Sequence, residues 1–441
     1  MRITSIISEY NPFHEGHKYH MENAKKITNS DYTVVIMSGD FTQRGTPAII
    51  DKYVRTKQAL LNGADLVLEL PVCFATASAE GFAFGAVSIL DKLGAVDSLV
   101  FGSECGDIDC IKKVADFLTD ETPEYKKKLQ VYLKQGLSFP KARANALQEL
   151  FPDLNEDFLS SSNNILGIEY CRALKQFNSS IVPMTIARKD NLYNDEKLAE
   201  TGKLSSATAI RKVLLEKELP CNTKLSSVSS MDWNQISFAD LTHHIPENSL
   251  DILKENWGIS APVSSMNFTL MLKYKLLLEN RDSLVQYADV TSDLADRIYN
   301  NLNFYKDFDS FCELLKTKEL TYTRIARSLL HILLDIKKED YSFFSKVNIE
   351  NGSVQHGNSN WGQYARILGF RKEASPLLHE IKRHSSIPLI SKVSDSVKEL
   401  DGVALSMLEK DIQAAHIYES VVADKFGQAF KNEFQRQLVI V

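Results

Sequence analysis

Residues 11–17 read Asn11-Pro12-Phe13-His14-Glu15-Gly16-His17 and place an H-x-G-H element directly after the apolar, β-branched run 3–8. We predict that residues 3–8 form the first strand of a parallel sheet and that residues 16–28, whose apolar positions recur with helical spacing, form a helix. The N-terminus of such a helix offers unpaired amides and a positive dipole end, to which the two imidazoles add donors. The stretch therefore predicts a site for a nucleotide triphosphate.

Two other interpretations of the histidines are a metal-binding pair and a pair of surface residues on a loop. A metal site would need further Cys, His or carboxylate ligands at regular spacing, and none follows nearby. His20 either faces His17 or is solvated. We therefore predict no metal site here.

The composition is that of a soluble globular protein with two or three domains, since the chain has 441 residues, 44% hydrophobic and 24% charged. No apolar run approaches the roughly 20 residues that cross a bilayer. The first predicted strand begins almost at once, so no signal peptide is expected. Six scattered cysteines favour reduced thiols in a cytoplasmic protein. The net charge of −6 argues weakly against a protein that coats nucleic acid, but it permits a local basic patch.

Strand and helix patterns alternate through the first half of the chain. Strands are predicted at 3–8, 32–38, 65–70, 97–102 and 181–187. The alternation is typical of an α/β fold with a Rossmann-like, doubly wound parallel sheet, which we assign to a catalytic domain spanning residues 1–215. Residues 216–441 show mainly helical periodicity and are predicted to form a second, mainly α-helical domain. Ligands of doubly wound sheets lie outside the carboxyl ends of the strands.

A second informative element is Leu204-Ser205-Ser206-Ala207-Thr208-Ala209-Ile210-Arg211. Small hydroxylated residues open a helix here, and Ser206 or Thr208 can cap it while the amides and the Arg211 guanidinium face one anion. In isolation the element fits an ordinary helix cap equally well. Together with H-x-G-H it favours a second phosphate-binding set, made by Ser206, Thr208 and Arg211.

The two elements together resemble the nucleotidyltransferase superfamily related to class I aminoacyl-tRNA synthetases, which contains the H-x-G-H signature. Members of that superfamily attack the α-phosphate of a nucleotide and release pyrophosphate. Longer segments resemble one branch, the bacterial tRNA(Met) cytidine acetate ligase family, and the likeness extends over the whole chain. These segments are 9–17, 37–45, 63–67, 101–104, 163–170, 324–334 and 364–370.

The resemblance implies an ATP-dependent ligase that works in two steps. Acetate attacks the α-phosphate of ATP to give acetyl-adenylate and pyrophosphate, and the exocyclic amine of the wobble cytidine of elongator tRNA(Met) then attacks the acetyl carbon. ATP is thus the expected co-substrate, together with Mg²⁺, and acetate and the tRNA are the expected partners. Neither a membrane nor an obligate protein partner is expected. The sequence names no general base for the amine, no Mg²⁺ ligands and no acyl pocket.

The resemblance also assigns roles to residues. His14 and His17 would act catalytically, by stabilising charge on the phosphates in the transition state. Gly102 would let adenosine approach closely, Asn163 or its neighbour Asn164 would contact the nucleotide, and Arg188 would complete the site. The alternatives are a simple helix cap for Asn163 and a surface salt bridge for Arg188. The segment that would wrap ATP comprises Ile7, Ser8, Glu9, Tyr10, Asn11, Pro12, Phe13, His14, Glu15, Gly16, His17, Lys18, Tyr19 and His20.

Polar residues after the second predicted strand are candidates for contact with acetate or with the target cytidine. They are Asp40, Gln43 and Arg44, and a solvated loop is the alternative for each. In the helical half, which the resemblance assigns to tRNA binding, the candidates for tRNA contact are Arg324, Arg327 and Arg366. A single basic cluster is commonly a solvated face, so several on one face are needed to support RNA binding.

Two rival functions use the same motifs. One is nucleotidyl transfer to a small phosphorylated metabolite, against which stands the large helical half. The other is a non-catalytic tRNA-binding protein with a relic nucleotide site, against which stand intact His14, Gly16, His17 and Arg211. Acetate-dependent release of pyrophosphate separates the ligase from both.

Overall fold

The computed structural model describes residues 1–154, 156–188, 197–200, 203–217, 236–344, 347–350, 353–356 and 361–441. Strands in these residues are β1 (Ile3–Ser8), β2 (Tyr32–Ser38), β3 (Leu66–Leu70), β4 (Ser98–Ser103), β5 (Val182–Ala187), β6 (Val347–Glu350), β7 (Ser353–His356), β8 (Ala365–Phe370), β9 (Leu389–Ile390) and β10 (Val439–Ile440). The α-helices are α1 (Glu15–Thr28), α2 (Lys52–Leu61), α3 (Val72–Ala75), α4 (Ala79–Lys92), α5 (Ile108–Thr119), α6 (Pro123–Lys134), α7 (Phe139–Leu150), α8 (Glu156–Ser160), α9 (Ser162–Gln176), α10 (Ala207–Glu216), α11 (Glu247–Asn256), α12 (Thr269–Leu278), α13 (Arg281–Leu284), α14 (Ser292–Asn301), α15 (Phe308–Leu315), α16 (Tyr322–Leu333), α17 (Ser375–His384), α18 (Val393–Glu399) and α19 (Gly402–Phe426).

The main sheet has the strand order β10-β8-β3-β2-β1-β4-β5, and β9 also pairs with β8. β1 to β5 run parallel to one another, and β1 lies between β2 and β4. The chain passes from β3 to the other side of β1 to form β4, so the loops at the carboxyl ends of β1 and β4 diverge and leave a crevice. The predicted Rossmann-like, doubly wound sheet is confirmed, and each of its five predicted strands lies within one residue of the observed bounds.

The central strands are buried on both faces, as expected for parallel strands covered by helices. In β2, Val34 and Ile36 pack in the same core cluster as residues of α4 and α9. The alternate residues Val35 and Met37 pack instead with residues of α1 and α2. This two-sided core fixes the N-terminus of α1 at the end of β1.

Three strands of the sheet come from the end of the chain. β8 pairs with β3 in antiparallel fashion, and β9 and β10 share the outer edge of β8. The predicted division into domains 1–215 and 216–441 is therefore corrected, because the sheet crosses it. The pairing partners of a short strand are set by tertiary packing, and the local pattern around residues 365–370 does not reveal them.

Residues from α12 to α16 pack with α19 around a second core, which also contains Phe41 and Val72. Gly45, in the loop after β2, lies against α16, since a Cβ there would be 2.3 Å from the backbone nitrogen of Arg327. Its φ of +77° also favours glycine. The loop after β2 is thus held between the sheet and the start of α16.

Within the described residues, no helix has the length and apolar character needed to span a membrane. The cysteines described there are free thiols: Cys73, Cys105, Cys110, Cys171 and Cys312. Cys221 lies outside the described residues.

Candidate active site

The first element of the site is the N-terminus of α1. His14 caps this helix, with its Nδ1 accepting a hydrogen bond from Gly16 N at 3.0 Å, while His17 Nδ1 accepts from His14 N at 3.3 Å. Because each Nδ1 is an acceptor, each neutral ring carries its proton on Nε2. The two rings stack with their centroids 3.7 Å apart. The pair therefore presents two Nε2–H donors at a helix N-terminus.

Burial keeps these imidazoles neutral. Burial and the charges of Arg188 and Arg211 lower the pKa of His14 to about 3. Burial, followed by the neighbouring His14 and Arg188, holds the pKa of His17 well below its usual value, and burial lowers the pKa of His20 to about 4. The positive character of the site thus comes from guanidiniums and the helix dipole, while the imidazoles donate hydrogen bonds without charge.

Two backbone features fix the positions of the rings. Gly16 has no Cβ, and one placed there would lie 2.8 Å from His14 Cε1. Tyr10 adopts a φ of +48°, which is uncommon for so large a side chain. The Tyr10 ring centroid lies 4.9 Å from that of Phe13 and 4.9 Å from that of His17. Strained backbone of this kind clusters at functional sites.

The second element is the N-terminus of α10. Ser206 caps this helix, with its Oγ accepting from Ala209 N at 3.0 Å. Arg211 donates to the carbonyl oxygen of Asn11 at 2.6 Å and to Thr208 Oγ1 at 3.2 Å. The arginine therefore joins the second motif to the loop that precedes α1, so the two motifs meet at one place.

The third element is the carboxyl end of β4, where Glu104 follows Gly102. Glu104 accepts hydrogen bonds from Asn163 Nδ2 at 2.6 Å and from Asn164 N at 2.9 Å. The side chain of Asn164 is 1% exposed, and its Oδ1 accepts from Glu104 N while its Nδ2 donates to Phe158 O. Asn163 lines the cavities described next. Of the two asparagines that the sequence left open, the geometry therefore favours Asn163 as the nucleotide contact.

Two adjoining cavities lie at this edge of the sheet. Their shared wall is formed by Ile7, His14, His17, Gly102, Asn163 and Arg188. The first cavity is also lined by the predicted residues Gly16, Tyr19, His20 and Ser206. The second cavity is also lined by the predicted residues Ser8, Glu9, Tyr10, Asn11, Thr208 and Arg211. The imidazoles thus stand where the two halves of one site meet.

Four residues of the segment predicted to wrap ATP line neither cavity. Phe13 is fully buried in the core beside α1, and Pro12 is buried in the preceding loop. Glu15 and Lys18 lie in the first turn of α1, where Glu15 N donates to His244 O at 2.9 Å. We therefore correct their assignment: they shape the loop and the helix that present the neighbouring side chains.

The loop after β2 brings Gln43 and Arg44 to the second cavity. Asp40 lines neither cavity, since it is buried under this loop and accepts from Lys52 N at 2.8 Å. Burial raises the pKa of Asp40 to about 7. Asp40 is therefore withdrawn as a contact for acetate or cytidine, and it anchors the loop instead.

The two candidate arginines of α16 lie at the start of this helix and are partly exposed. Arg327 Nε donates to Asp289 Oδ2 at 2.9 Å, and the Arg327 backbone is the one that Gly45 contacts. Arg324 lies one turn earlier on the same helix. Both therefore stand beside the loop that borders the second cavity.

Arg366 occupies a different environment, with 3% of its surface exposed. Its guanidinium pairs with Glu433 at 2.6 Å and with Glu69 at 2.9 Å, and Lys52 Nζ binds the same two carboxylates at 2.5 and 2.7 Å. A guanidinium enclosed in this way does not reach an RNA backbone. The prediction that Arg366 contacts tRNA is therefore wrong, and the residue belongs to a buried ion cluster.

Two residues that shape the site were not predicted: Glu104 and His244. Arg55 is fully buried and donates to the carbonyl oxygens of Glu9 at 2.6 Å and Ser38 at 3.1 Å, which ties the ends of β1 and β2 together. Glu104 ends a segment that the resemblance singled out, so its position was visible while its partners were not. Nothing local in the sequence distinguishes His244.

In the part of the chain that the structure describes, no three His, Cys, Asp or Glu residues are grouped so that they could hold a metal ion. Glu9 is the one acidic side chain among the described residues that line the two cavities. The donor set is thus built for anions, with hydroxyls, imidazoles and guanidiniums.

Anion-binding helix N-termini with paired imidazoles, set at the switch point of a doubly wound sheet, define a nucleotidyltransferase of the H-x-G-H type. In agreement, the family model described as HIGH Nucleotidyl Transferase matches residues 1–433. Curated relatives narrow the assignment. The tRNA(Met) cytidine acetate ligase of Clostridium perfringens is 40% identical over 426 residues, which covers 95% of each chain. That of Acetivibrio thermocellus is 39% identical over 445 residues and covers 100% of each chain.

Solved structures agree with these relatives. The crystal structure of Thermotoga maritima TmcAL bound with alpha-thio ATP is 32% identical, has a TM-score of 0.84 and covers 100% of both chains. The apo crystal structure of Thermotoga maritima TmcAL has a TM-score of 0.85 at the same identity and coverage. With this similarity along its whole length, the chain belongs to the tRNA(Met) cytidine acetate ligase family.

Proposed function

We propose that this chain activates acetate with ATP and transfers the acetyl group to the exocyclic amine of the wobble cytidine of elongator tRNA(Met). The observation that carries the proposal is the pair of adjoining cavities that share the His14 and His17 wall. One cavity suits a nucleotide, and the other provides room for an acceptor at the same imidazoles. The family membership supports this acceptor.

The first half-reaction forms acetyl-adenylate at the shared wall. An acetate oxygen attacks the α-phosphate, and pyrophosphate leaves with the electron pair of the broken P–O bond. His14 and His17 donate Nε2–H bonds to the phosphate oxygens on which charge builds up, and Arg188, Arg211 and the helix N-termini oppose that charge. Positioning and charge compensation are the main tasks in such a transfer, since the protein itself forms no covalent bond.

Gly102 and Asn163 would position the adenosine at the wall that the two cavities share. A Cβ on Gly102 would approach Arg188 Cγ at 3.5 Å and would occupy space in the shared wall. Asn163 is held by Glu104, which leaves its amide fixed at the edge of the cavity. Both residues therefore act by shape and hydrogen bonding.

Mg²⁺ would enter with the triphosphate. Proteins commonly hold Mg²⁺ through one or two carboxylates together with substrate phosphates and water, and among the described residues that line the cavities the one carboxylate is Glu9. Phosphate oxygens would thus supply most of the ligands. The ion would neutralise charge on the departing pyrophosphate.

The tRNA would approach over the loop after β2, where Arg44 lines the second cavity, and over α16, whose Arg327 backbone lies against Gly45 of this loop and whose Arg324 lies one turn earlier. Phosphate contacts fix the register of a bound nucleic acid, while the target base is taken out of its stack. Because the proposed substrate is a tRNA, we expect the enzyme to act in the cytoplasm.

The test is pyrophosphate release from ATP by the purified protein, with and without acetate, combined with transfer of labelled acetyl groups to a tRNA(Met) transcript. We expect release that depends on acetate and label that reaches the tRNA. A transcript with uridine in place of the wobble cytidine is the matched control and should accept no label. Release that depends on a phosphomonoester, or none under any condition, would contradict the proposal.

A further inference from the structure

Glu9 is an acidic residue in a site whose other charged groups suit a negatively charged triphosphate. The described residues around the second cavity include the guanidiniums of Arg44, Arg188 and Arg211, and Glu9 is the one carboxylate among them. A carboxylate beside phosphate oxygens repels them. Its position therefore calls for a group that donates hydrogen bonds, and acetate and the triphosphate are both acceptors.

The structure holds Glu9 at three points. Its Oε1 accepts from Gln43 N at 2.8 Å, and its carbonyl oxygen accepts from the buried Arg55 at 2.6 Å. The next residue, Tyr10, has the left-handed φ of +48° that turns the chain away from β1. A carboxylate fixed in this way has little freedom to lose when it acts, as catalytic groups require.

Aromatic side chains form part of the wall of the second cavity. Phe82 of α4, Phe101 of β4 and Tyr170 of α9 line it, and the Phe101 and Tyr170 ring centroids lie 5.5 Å apart. Gly167 permits this arrangement, because a Cβ there would lie 2.5 Å from the Phe101 ring. Because the Phe101 and Tyr170 rings pack against each other, they provide an apolar wall for a base, and a flipped base is commonly read by hydrogen bonds at its Watson–Crick edge.

We propose that Glu9 receives the exocyclic amine of the target cytidine and accepts its proton during acetyl transfer. The assignment rests on the proposed function. A carboxylate oxygen is the usual acceptor for the N4 amine of cytosine. The cytosine amine shares its lone pair with the ring, so it is a weak nucleophile and its attack is helped by a base that removes the proton.

The step balances without a further reactant. The N4 nitrogen forms a bond to the acetyl carbonyl carbon, and the bond from that carbon to the phosphate oxygen breaks. AMP leaves with the electron pair of the broken bond. One amine proton passes to the Glu9 carboxylate, from which it is released to solvent. The products are N4-acetylcytidine in the tRNA and AMP.

Glu9→Gln separates this role from a structural one. The glutamine Oε1 still accepts from Gln43 N, but an amide does not take up the proton. We would compare it with the wild type and with Glu22→Gln, which changes an exposed carboxylate of α1. Acetate-dependent exchange of pyrophosphate into ATP, measured without tRNA, reports the first step. Single-turnover transfer to the tRNA(Met) transcript, with enzyme in excess, reports the second.

We expect transfer by Glu9→Gln to slow about 100-fold or more, the usual contribution of a general base, and exchange to fall by a much smaller factor. Glu22→Gln should match the wild type in both steps. Glu9→Asp keeps a carboxylate and should recover part of the lost transfer.

Transfer by Glu9→Gln at the wild-type rate would overturn the assignment. Equal losses in exchange and transfer, or a raised requirement for Mg²⁺ in exchange, would also overturn it, because they would place Glu9 on the nucleotide or its metal ion. Wild-type enzyme without acetate-dependent exchange would instead refute the proposed function itself. The two failures are therefore distinguishable.

Discussion

The imidazole rings of His14 and His17 stack with centroids 3.7 Å apart and planes inclined by 28°. The arrangement follows from the helix cap, since His14 is the cap residue and His17 stands three positions later, where its Nδ1 accepts from the His14 amide. In each ring, Nδ1 therefore accepts a backbone hydrogen bond and Nε2–H is available to donate to the substrate. At this pair, the nitrogen that bonds the backbone therefore differs from the nitrogen that would bind the substrate.

Replacing His14 by Asn should separate the cap from catalysis. Asparagine is a good cap residue, so α1 should keep its N-terminal hydrogen bond while the Nε2–H donor is lost. We expect acetate-dependent exchange to fall by about 10²–10³-fold, with the thermal midpoint nearly unchanged. His14→Ala is the comparison and should also lose about 1 kcal/mol of stability with the cap. Equal activity of His14→Asn and the wild type would contradict the role of the imidazole.

Stability should fall with pH below the range in which unfolded imidazoles titrate. Burial lowers the pKa of His14 to about 3 and that of His20 to about 4, whereas the unfolded residues titrate near about 6.5. As the pH drops below about 6.5, the unfolded chain takes up protons that the folded chain does not, so the free energy of unfolding decreases. Each such imidazole should cost about 1 kcal/mol between pH 7 and pH 5.5.

The matched measurement is the thermal midpoint of His20→Gln and of the wild type at pH 7 and pH 5.5, without nucleotide. The variant should lose less stability than the wild type over this interval, because it lacks one of the titrating groups. A parallel decline of the two proteins would show that His20 does not contribute.

Gly102→Ala should weaken ATP binding without affecting the fold. The added methyl group would meet Arg188 Cγ at 3.5 Å, which is ordinary van der Waals contact. It would also project into the wall that the two cavities share. We expect the KM for ATP to rise about 10-fold, equivalent to about 1.4 kcal/mol, with an unchanged thermal midpoint. A lower midpoint with unchanged KM would point to a packing role instead.

The double variant Arg324→Gln and Arg327→Gln should bind tRNA(Met) more weakly while the first step continues. Each lost phosphate contact should reduce the salt dependence of binding, with a slope change of about 1 per contact. Affinity measured at several salt concentrations gives this slope. Arg281→Gln removes an exposed guanidinium that pairs with Asp296 in α14 and serves as the control. An unchanged slope in the double variant would show that the RNA binds to another face of the protein.

Glu433→Gln should destabilise the fold, because it leaves Lys52 and Arg366 without a shared carboxylate in a buried cluster. Burial alone would raise the pKa of Glu433, but the two cations hold it far below its usual range. Breaking one partner of such a cluster costs about 3–5 kcal/mol, so the thermal midpoint should drop by several degrees. Glu399→Ala, at an exposed position of α18, should change it little. A small effect of Glu433→Gln would mean that water or relaxation compensates.

Local elements of the fold were predictable, and distant pairings were not. β1, α1 and the cap of α10 follow from residues that are neighbours in the chain, so their pattern is visible in the sequence. β8 lies in a region where helical periodicity dominates. Its partner β3 is far away in the chain, so the local pattern does not reveal the pairing. Arg366 illustrates the same limit: its charge suggested a surface contact, and its burial depends on Glu69 and Glu433.

The sequence by itself determined the strand–helix junction that carries His14 and His17, the capped helix that carries Arg211, and the family. These are short-range features, because strand periodicity and helix capping depend on residues within a few positions of one another. Only the tertiary structure decided that Asn163 and not Asn164 lines the cavities, that Asp40 and Arg366 are enclosed, and that Glu9 stands alone among cations. Burial and charge environment depend on segments brought together by packing, and they are properties of the folded chain.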